Sequence, residues 1–384
     1  MSIYLDHAAT TPMVAAAKRA LADQMDKLGN PSSLHMYGRA TRKDVEESRE
    51  AIARAVACRP SEVIFTGSGT EANNTALKGL HWLRANEMRN LVVISEIEHH
   101  AIFDPAQWLA DYEKAEVIKL PVLASGEIDL AFLRKLVAER GNEITVISVM
   151  HSNNETGTIQ PVAEIVKIAS GAQIPVHCDA VQSFGKIPLS FKDLGVTALT
   201  ISAHKIGGPM GIGALILQHG LEIPALIHGG GQEREIRSGT LNTPSIAAFA
   251  AAASDAAKAQ AERANFVSKL REQFISGAKA AIPDLIVNGS GEQLPGIINL
   301  TFPGTESDTL LLLFDAAGVA CSTGSACSAG VHEPSHVLMA MGHSQVSAQS
   351  SLRFSLSYLN SESDVAEVIA LFPSVISRAR AANL

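Results

Sequence analysis

Between residues 62 and 217, short apolar runs alternate with longer amphipathic segments. Many of the apolar residues are β-branched, and the runs cover residues 63–65, 91–94, 144–149, 174–178, 198–201 and 213–217. Alternation of this kind is typical of a mostly parallel sheet with helices on both faces. Because ligands of such sheets collect beyond the carboxyl ends of the strands, the polar residues that follow the runs are the first candidates for a functional site.

The pattern changes after residue 247. Residues 247–279 are rich in Ala, Lys and Glu, which predicts one long helix or two joined helices. Beyond this stretch we predict strands at residues 295–302 and 351–356, and helices at residues 307–317 and 363–381. The long helix is therefore expected to link a large sheet-containing domain to a small α+β domain.

The composition narrows the function classes. The chain has 384 residues and a formal net charge of −8, and its Lys and Arg residues are scattered, so direct binding of nucleic acid is not expected. The longest apolar run, residues 246–253, is far shorter than the roughly 20 residues that cross a bilayer. Residues 1–11 lack the pattern of a secretory signal. We expect a cytoplasmic protein without a membrane segment.

The cysteines are too few for a disulfide framework in a chain of this length. They are Cys58, Cys178, Cys321 and Cys327, and we expect free thiols in a reducing compartment. Cys58 and Cys178 are interpreted as packing residues, because Cys178 lies in an apolar run and Cys58 near a helix end.

A glycine-rich segment follows the first apolar run. Gly67 and Gly69 precede a helical pattern that begins at Ala72. Glycines let backbone N–H groups approach an anion, and the start of a helix adds partial positive charge. The segment lacks both the Lys of a Walker loop and the spacing of a dinucleotide fingerprint. A phosphate cradle and an ordinary turn are therefore equal alternatives.

Two further polar residues follow later strands. Asp179 ends an apolar run, where a carboxylate is costly unless a positive group such as a protonated pyridine nitrogen neutralises it. The alternative is an Asp that caps the next helix. Lys205 stands between an apolar run and a glycine-rich turn, where loss of hydration favours the neutral amine that forms a Schiff base. The alternative is a solvated surface lysine.

Together with other motifs, these segments resemble the cysteine desulfurases of the NifS/IscS type, in the class V aminotransferase group of fold-type I pyridoxal-phosphate enzymes. The motifs that carry the resemblance are YLDHAATTP at 4–12, GNPSS at 29–33, EH at 98–99, HSNNETG at 151–157, SAHK at 202–205, GGGQER at 229–234 and RFSL at 353–356. The resemblance implies a large α/β domain at residues 14–257 that binds the cofactor and has a mostly parallel seven-stranded sheet. Residues 1–13 and 258–384 would form the small α+β domain, which carries Cys327.

The resemblance also implies roles for residues that bind pyridoxal 5'-phosphate. Lys205 would hold the cofactor covalently and move the α-proton of the substrate, and His99 would stack on the ring and take part in proton transfer. Asp179 would keep the pyridine nitrogen protonated, and Gln182 would hydrogen-bond the phenolic oxygen. The other implied cofactor-binding residues are Gly69, Thr70, Asn154, Ser202, His204 and, from the second subunit of a homodimer, Thr240.

The resemblance implies roles in substrate binding and sulfur transfer for a further set of residues. Asn154 and Arg353 would bind the substrate carboxylate, Arg353 through two parallel hydrogen bonds. Cys327 matches the family's sulfur carrier and lies among small residues at 321–330, which predict a loop that lets the thiol travel between cofactor and acceptor. Its thiolate would attack the sulfur of cysteine, leaving a persulfide and, finally, alanine.

Metal or redox chemistry is the alternative interpretation of Cys321 and Cys327. Their spacing is not that of a zinc knuckle, and we expect no metal site. His332 and His336 also form a metal-like pair, but Pro334 between them argues against one regular helical face. Capping or solvated roles are the expectation for both histidines.

The sequence thus predicts a pyridoxal-phosphate-dependent cysteine desulfurase, a sulfurtransferase that converts L-cysteine to L-alanine. The persulfide would pass to an iron–sulfur scaffold or another sulfur-acceptor protein. Selenocysteine lyase and cysteine-sulfinate desulfinase are the nearest alternatives, followed by a class V aminotransferase. A degenerate scaffold that only binds partners would be expected to lack Lys205 or Asp179, and both are present.

Overall fold

The computed structural model describes residues 2–324 and 334–383. Its strands in chain order are β1 Ile3–Tyr4, β2 Val63–Thr66, β3 Leu91–Ser95, β4 Glu116–Leu120, β5 Ile144–Met150, β6 Val176–Asp179, β7 Ala198–Ser202, β8 Gly213–Leu217, β9 Ile286–Asn288, β10 Ile297–Thr301, β11 Val319–Ala320 and β12 Ser351–Ser355. Its α-helices are α1 Ala15–Met25, α2 Met36–Ala55, α3 Gly69–Arg84, α4 His100–Glu113, α5 Leu130–Arg140, α6 Val162–Ser170, α7 Phe191–Leu194, α8 Thr243–Ala281, α9 Ser307–Ala316, α10 His336–Ala340, α11 Gln345–Gln349 and α12 Glu362–Ala382.

The large sheet has seven strands in the order β2-β8-β7-β6-β5-β3-β4. Its strands pair in parallel except at β8, which runs antiparallel to both β2 and β7. The predicted fold class, a mostly parallel α/β sheet, is confirmed. Each of the six apolar runs became a strand, whereas β4 was not recognised because it lies at the sheet edge with exposed Glu116 and Lys119.

Successive residues of the strands enter different cores, as the alternation of side chains along a strand requires. In β2, for example, Val63 and Phe65 belong to one buried cluster and Ile64 to another. The interior strand β5 is buried along its whole length. Helices therefore cover both faces, and the strand ends are left as the place where polar side chains can meet.

A second, three-stranded antiparallel sheet has the order β12-β10-β9 and its own core. The core includes Phe274 of α8, Phe354 of β12 and Phe372 of α12, whose rings contact one another. The segment 247–279 proved to be one helix, α8, of 39 residues. Its N-terminal part packs into the core of the large sheet and its C-terminal part into the second core, so the helix joins them.

The domain boundaries at residues 13 and 257 stay predictions. They are supported by which residues belong to each of the two hydrophobic cores. Ala256 is packed in the large-sheet core, whereas Val267, like Ile3 and Leu5, is packed in the second core. Within residues 2–324 and 334–383, no helix combines the length and apolar character needed to cross a membrane.

Candidate active site

A cavity of about 570 Å³ opens at the carboxyl ends of the parallel strands of the large sheet. Ten of the residues that the sequence singled out line it: Gly69, Thr70, His99, Asn154, Asp179, Gln182, Ser202, His204, Lys205 and Arg353. We call the part of the lining that carries Gly69, Asp179 and Lys205 the strand-end wall. The part that carries Asn154, Glu155 and Arg353 is called the Arg353 wall.

Asp179 is the last residue of β6 and is 7% exposed. Its Oδ2 accepts a hydrogen bond of 2.7 Å from Nδ2 of Asn73, and its Oδ1 accepts one of 2.9 Å from the backbone N–H of Val181. The residues that follow form turns, so Asp179 does not cap a helix. Asn73, on α3, was missed because a polar residue inside a helical pattern carries no signal of its distant partner.

Lys205 follows β7 in a short 3₁₀ turn, His204–Ile206, and its side chain reaches the cavity. Its Nζ donates hydrogen bonds to the backbone oxygens of Ala8 at 2.6 Å and Ala9 at 2.7 Å. The turn continues through Gly207, whose φ of +82° favours glycine. The amine is thus held at the strand end, and the side chain is half-buried and not fully solvated.

The glycine-rich segment forms the N-terminus of α3. Ser68 caps this helix by accepting a hydrogen bond of 3.1 Å from the N–H of Glu71, and Gly69 and Thr70 are its first residues. A Cβ at position 69 would lie 3.1 Å from Cγ2 of Val181, so a larger residue would crowd the cavity. A glycine-led terminus of a helix of 16 residues, facing a cavity, is a suitable site for a phosphate.

His204 and His99 are both kept neutral by their surroundings. Burial, aided by the positive charges of Lys205 and Lys186, lowers the pKa of His204 to about 4. Burial also lowers the pKa of His99, although the nearby Asp179 carboxylate opposes this shift. Nδ1 of His99 accepts a hydrogen bond of 3.0 Å from the N–H of Ala101, which assigns the proton of the neutral ring to Nε2.

Gln182 is oriented by a residue that the sequence did not indicate, Lys186. Nζ of Lys186 donates a 2.9 Å hydrogen bond to Oε1 of Gln182, while Nε2 of Gln182 donates one of 2.9 Å to the oxygen of Ala8. Burial lowers the pKa of Lys186 to about 7, and the charges of Lys205 and Arg353 add to this shift. Lys186 therefore fixes which end of the amide carries the donor hydrogens.

The Arg353 wall joins the two sheets. Arg353 lies on β12 of the small sheet and is 3% exposed. One terminal nitrogen, Nη2, pairs with Oδ1 of Asp6 at 2.8 Å, and the other, Nη1, donates to the backbone oxygen of Asn154 at 3.1 Å. Asn154 and Arg353, both predicted to bind the substrate carboxylate, are thus in direct contact. Asp6, the second partner of Arg353, was not linked to either residue by any local pattern.

Two predicted site residues are not among the lining residues. Thr240 is exposed, and it does not line the cavity of its own chain. Cys327 and His332 lie outside the described residues. In the described ranges no group of three or more His, Cys, Asp and Glu side chains is arranged to hold a metal ion. His336 instead hydrogen-bonds the backbone oxygen of Glu98 at 2.9 Å.

The comparison with known proteins supplies the family. The family model for class-V aminotransferases matches residues 3–368. The chain is 45% identical to an IscS-like cysteine desulfurase of Mycobacterium tuberculosis, in an alignment that covers 99% of this chain and 98% of the relative. The chain belongs to the cysteine desulfurases of the class-V aminotransferase family. The family predicted from the motifs is thereby confirmed.

Solved structures that are similar in sequence to this chain share the fold. A NifS-like protein superimposes with a TM-score of 0.91 at 34% identity, covering 98% of this chain and all of that chain (100%). SspA, solved in complex with cysteine, superimposes with a TM-score of 0.81 at 31% identity, covering 92% of this chain and 99% of that chain. The fold-type I architecture implied by the resemblance is confirmed.

Proposed function

We propose that this chain is a pyridoxal-phosphate-dependent cysteine desulfurase that transfers the sulfur of L-cysteine to Cys327. The observation that carries the proposal is the convergence of Lys205, Asp179 and the N-terminus of α3 on one cavity at the strand ends. Relatives named as cysteine desulfurases and a structural neighbour that holds cysteine support this choice of substrate.

The residues of the strand-end wall fit pyridoxal 5'-phosphate. The N-terminus of α3, together with Ser202 and the neutral His204, would hold the phosphate. Asp179, a buried carboxylate at the cavity surface, would pair with a protonated pyridine nitrogen, and the amide of Gln182 would donate to the phenolic oxygen. When bound, this cofactor stabilises negative charge that develops on the α-carbon of an amino acid.

The chain's own side chains would do the remaining work. Arg353 and Asn154 would bind the substrate carboxylate, and Lys205 and His99 would move protons beside the α-carbon. The thiolate of Cys327 would attack the sulfur of cysteine. A sulfur–sulfur bond forms while the carbon–sulfur bond breaks, the electron pair stays with the substrate carbon, and protonation there yields alanine.

The other thiols are poor candidates for the carrier. Burial raises the pKa of Cys58 to about 12 and that of Cys321 to about 12, and it raises the pKa of Cys178 well above its ordinary value. A thiolate, not a thiol, is the nucleophile, so these three side chains are unreactive near neutral pH. None of them lines the cavity in the described ranges. Their chemistry leaves the role to Cys327.

We further propose a cytoplasmic homodimer that delivers its persulfide to an iron–sulfur scaffold or another sulfur-acceptor protein. The exposed position of Thr240 supports the dimer, since this residue could serve the cavity of a second subunit but does not serve its own. A persulfide carrier also needs its thiol reduced between turnovers, which favours the cytoplasm.

The test is an assay of alanine and sulfide from cysteine, with a reductant, on protein loaded with the cofactor. We expect both products in equal amounts, and we expect Cys327→Ala to bind the cofactor but to form neither product from cysteine. Selenocysteine lyase and cysteine-sulfinate desulfinase, which the names of the relatives do not favour, would be indicated if Cys327→Ala kept full activity on those substrates. Failure of the unsubstituted protein to bind the cofactor would refute the proposal.

A further inference from the structure

Gly324 and Ser335 lie side by side, although ten residues separate them in the sequence. A Cβ placed on Gly324 would be 3.2 Å from the Cβ of Ser335, and it would overlap Oε2 of Glu155. The φ of Gly324 is not in the left-handed region, so the glycine is required by this close approach and not by its backbone conformation. The two residues flank the segment that contains Cys327.

Glu155 is the residue that the two flanking positions share. It is 2% exposed, and its Oε2 accepts a hydrogen bond of 2.5 Å from Oγ of Ser335. A buried carboxylate is stable only with partners of this kind, and hydrogen bonds to a charged acceptor are stronger than neutral ones. Ser335 is itself fixed, because its Oγ also accepts the N–H of Leu338 at 3.1 Å and so caps α10.

Glu155 is also part of the rigid Arg353 wall. Oδ1 of Asn153 accepts the backbone N–H groups of Glu155 and Thr156, both at 2.9 Å, which holds the turn in one conformation. The preceding residue, Asn154, receives the hydrogen bond from Arg353. One short turn therefore contacts the proposed substrate-binding arginine and both flanks of the Cys327 segment.

We propose that Glu155 is a positioning residue, which fixes both ends of the Cys327 segment to the wall that binds the substrate carboxylate. The proposal rests on the proposed function, in which Cys327 receives the sulfur. Bringing the ends of a loop together restricts where its residues can go. A thiol held near the substrate reacts far faster than one that must search for it.

The experiment separates cysteine binding from persulfide formation in one turnover of the loaded enzyme. Cysteine is added without reductant. Binding is followed by the absorbance change of the cofactor, and the persulfide is measured on the Cys327 peptide by mass spectrometry. For Glu155→Ala, Ser335→Ala and Gly324→Ala we expect persulfide formation to slow by about 10- to 100-fold. The affinity for cysteine, read from the absorbance change, should stay within about twofold of the unsubstituted enzyme, well short of that loss.

Matched controls isolate the contact with Glu155. Ser344→Ala also loses a serine cap, that of α11, but Ser344 does not touch Glu155. Gly171→Ala adds a Cβ whose nearest neighbour is 3.9 Å away. Both should form the persulfide at the unsubstituted rate. Glu155→Gln keeps the size of the side chain and an oxygen that can accept from Ser335, and it should restore most of the rate lost in Glu155→Ala.

Three results would decide against this role. Unsubstituted persulfide rates in Ser335→Ala and Gly324→Ala would overturn it even if Glu155→Ala failed to fold. An equal loss of cysteine affinity and persulfide rate would mean that the whole wall had been damaged. Equal losses in Ser344→Ala would point to helix capping in general. If the unsubstituted enzyme formed no persulfide on Cys327, the proposed function itself would fail, and the variants would not be needed to see it.

Discussion

The strand-end wall and the Arg353 wall face the same cavity but are assembled differently. Asp179 ends a strand of the large sheet, and Gly69 and Lys205 follow closely after two others, so the sheet topology alone brings them together. The Arg353 wall depends on contacts between residues far apart in sequence, such as Arg353 with Asp6, which are 347 positions apart. The strand-end wall forms within a single sheet, whereas the Arg353 wall requires the two separate cores to pack against each other in one specific arrangement.

This difference separates binding of the cofactor from handling of the substrate. Changes in the strand-end wall should alter the chemistry of the cofactor, whereas changes at Glu155 and Arg353 of the Arg353 wall should alter cysteine binding or sulfur transfer and leave the cofactor in place. A substitution in one wall that altered the function assigned to the other wall would show that the walls are not independent.

The largest effect is expected for Asp179→Asn. The amide keeps the shape of the side chain but cannot supply the negative charge that a protonated pyridine nitrogen requires. We expect kcat for alanine formation to fall by about 10³- to 10⁴-fold, by analogy with isosteric loss of a buried catalytic carboxylate. Steady-state kinetics of the loaded enzyme measures this. A fall of less than tenfold would remove Asp179 from the strand-end wall's chemistry.

A large effect on stability is expected for Arg49→Met. Arg49 makes two hydrogen bonds, at 2.7 and 2.8 Å, to the fully buried carboxylate of Glu233, which precedes Thr240 in the chain. Without the guanidinium, Glu233 is a buried uncompensated charge, and the free energy of unfolding should fall by about 3–5 kcal/mol. Urea denaturation measures it. Arg140→Met, which breaks exposed pairs with Glu116 and Glu143, should cost no more than about 1 kcal/mol and serves as the control.

A smaller effect is expected for Arg353→Lys. The ammonium keeps the charge but cannot replace a planar group that binds Asp6 and the oxygen of Asn154 together. We expect the KM for cysteine to rise by about 10- to 100-fold, the value of one or two charge-assisted hydrogen bonds. The affinity for the cofactor, measured by absorbance titration, should not change. Weaker cofactor binding would contradict the division between the walls.

The last effect concerns pH, and between pH 6.5 and 5 it amounts to about 2 kcal/mol. His177 is buried between Ser148 and Thr200, and burial lowers its pKa to about 3, compared with about 6.5 for an exposed histidine. Between pH 6.5 and 3 the unfolded chain is therefore protonated at this histidine, whereas the folded chain is not. The free energy of unfolding is not reduced by this difference above pH 6.5, and it falls by about 1.4 kcal/mol per pH unit as the pH decreases towards 3.

Replacement of His177 tests this prediction. The urea midpoint of His177→Gln should depend less on pH between 6.5 and 5 than that of the unsubstituted protein. His228→Gln, at an exposed position, should leave the pH dependence unchanged. Identical slopes for His177→Gln and the unsubstituted protein would contradict the assignment of a neutral buried ring.

The sequence predicted the placement of the strand-end wall at the ends of strands, because the signals for that placement are local. An apolar run followed by Asp179, or by Lys205 and two glycines, carries both the strand and the residue at its end. The same reasoning missed β4, whose edge position permits charged residues. It also missed Asn73 and Lys186, since a helix or turn does not reveal what its polar side chains will meet.

The Arg353 wall was predicted only through the family resemblance, and then only in part. Asn154 and Arg353 were expected, but Asp6 and Glu155 were not assigned roles. Their partners are set by how the two cores dock, which depends on side-chain packing along α8 and not on any nearby pattern. Residues of this kind need the folded structure to be recognised.

The most direct test of the account is to find the lysine that holds the cofactor. The loaded enzyme is reduced with borohydride, which makes the linkage permanent, and is then digested and analysed by mass spectrometry. The account predicts the mass of the cofactor on the peptide that contains Lys205, with Lys186 unmodified although burial lowers the pKa of Lys186 to about 7. Modification of Lys186 in place of Lys205, or of neither, would contradict it.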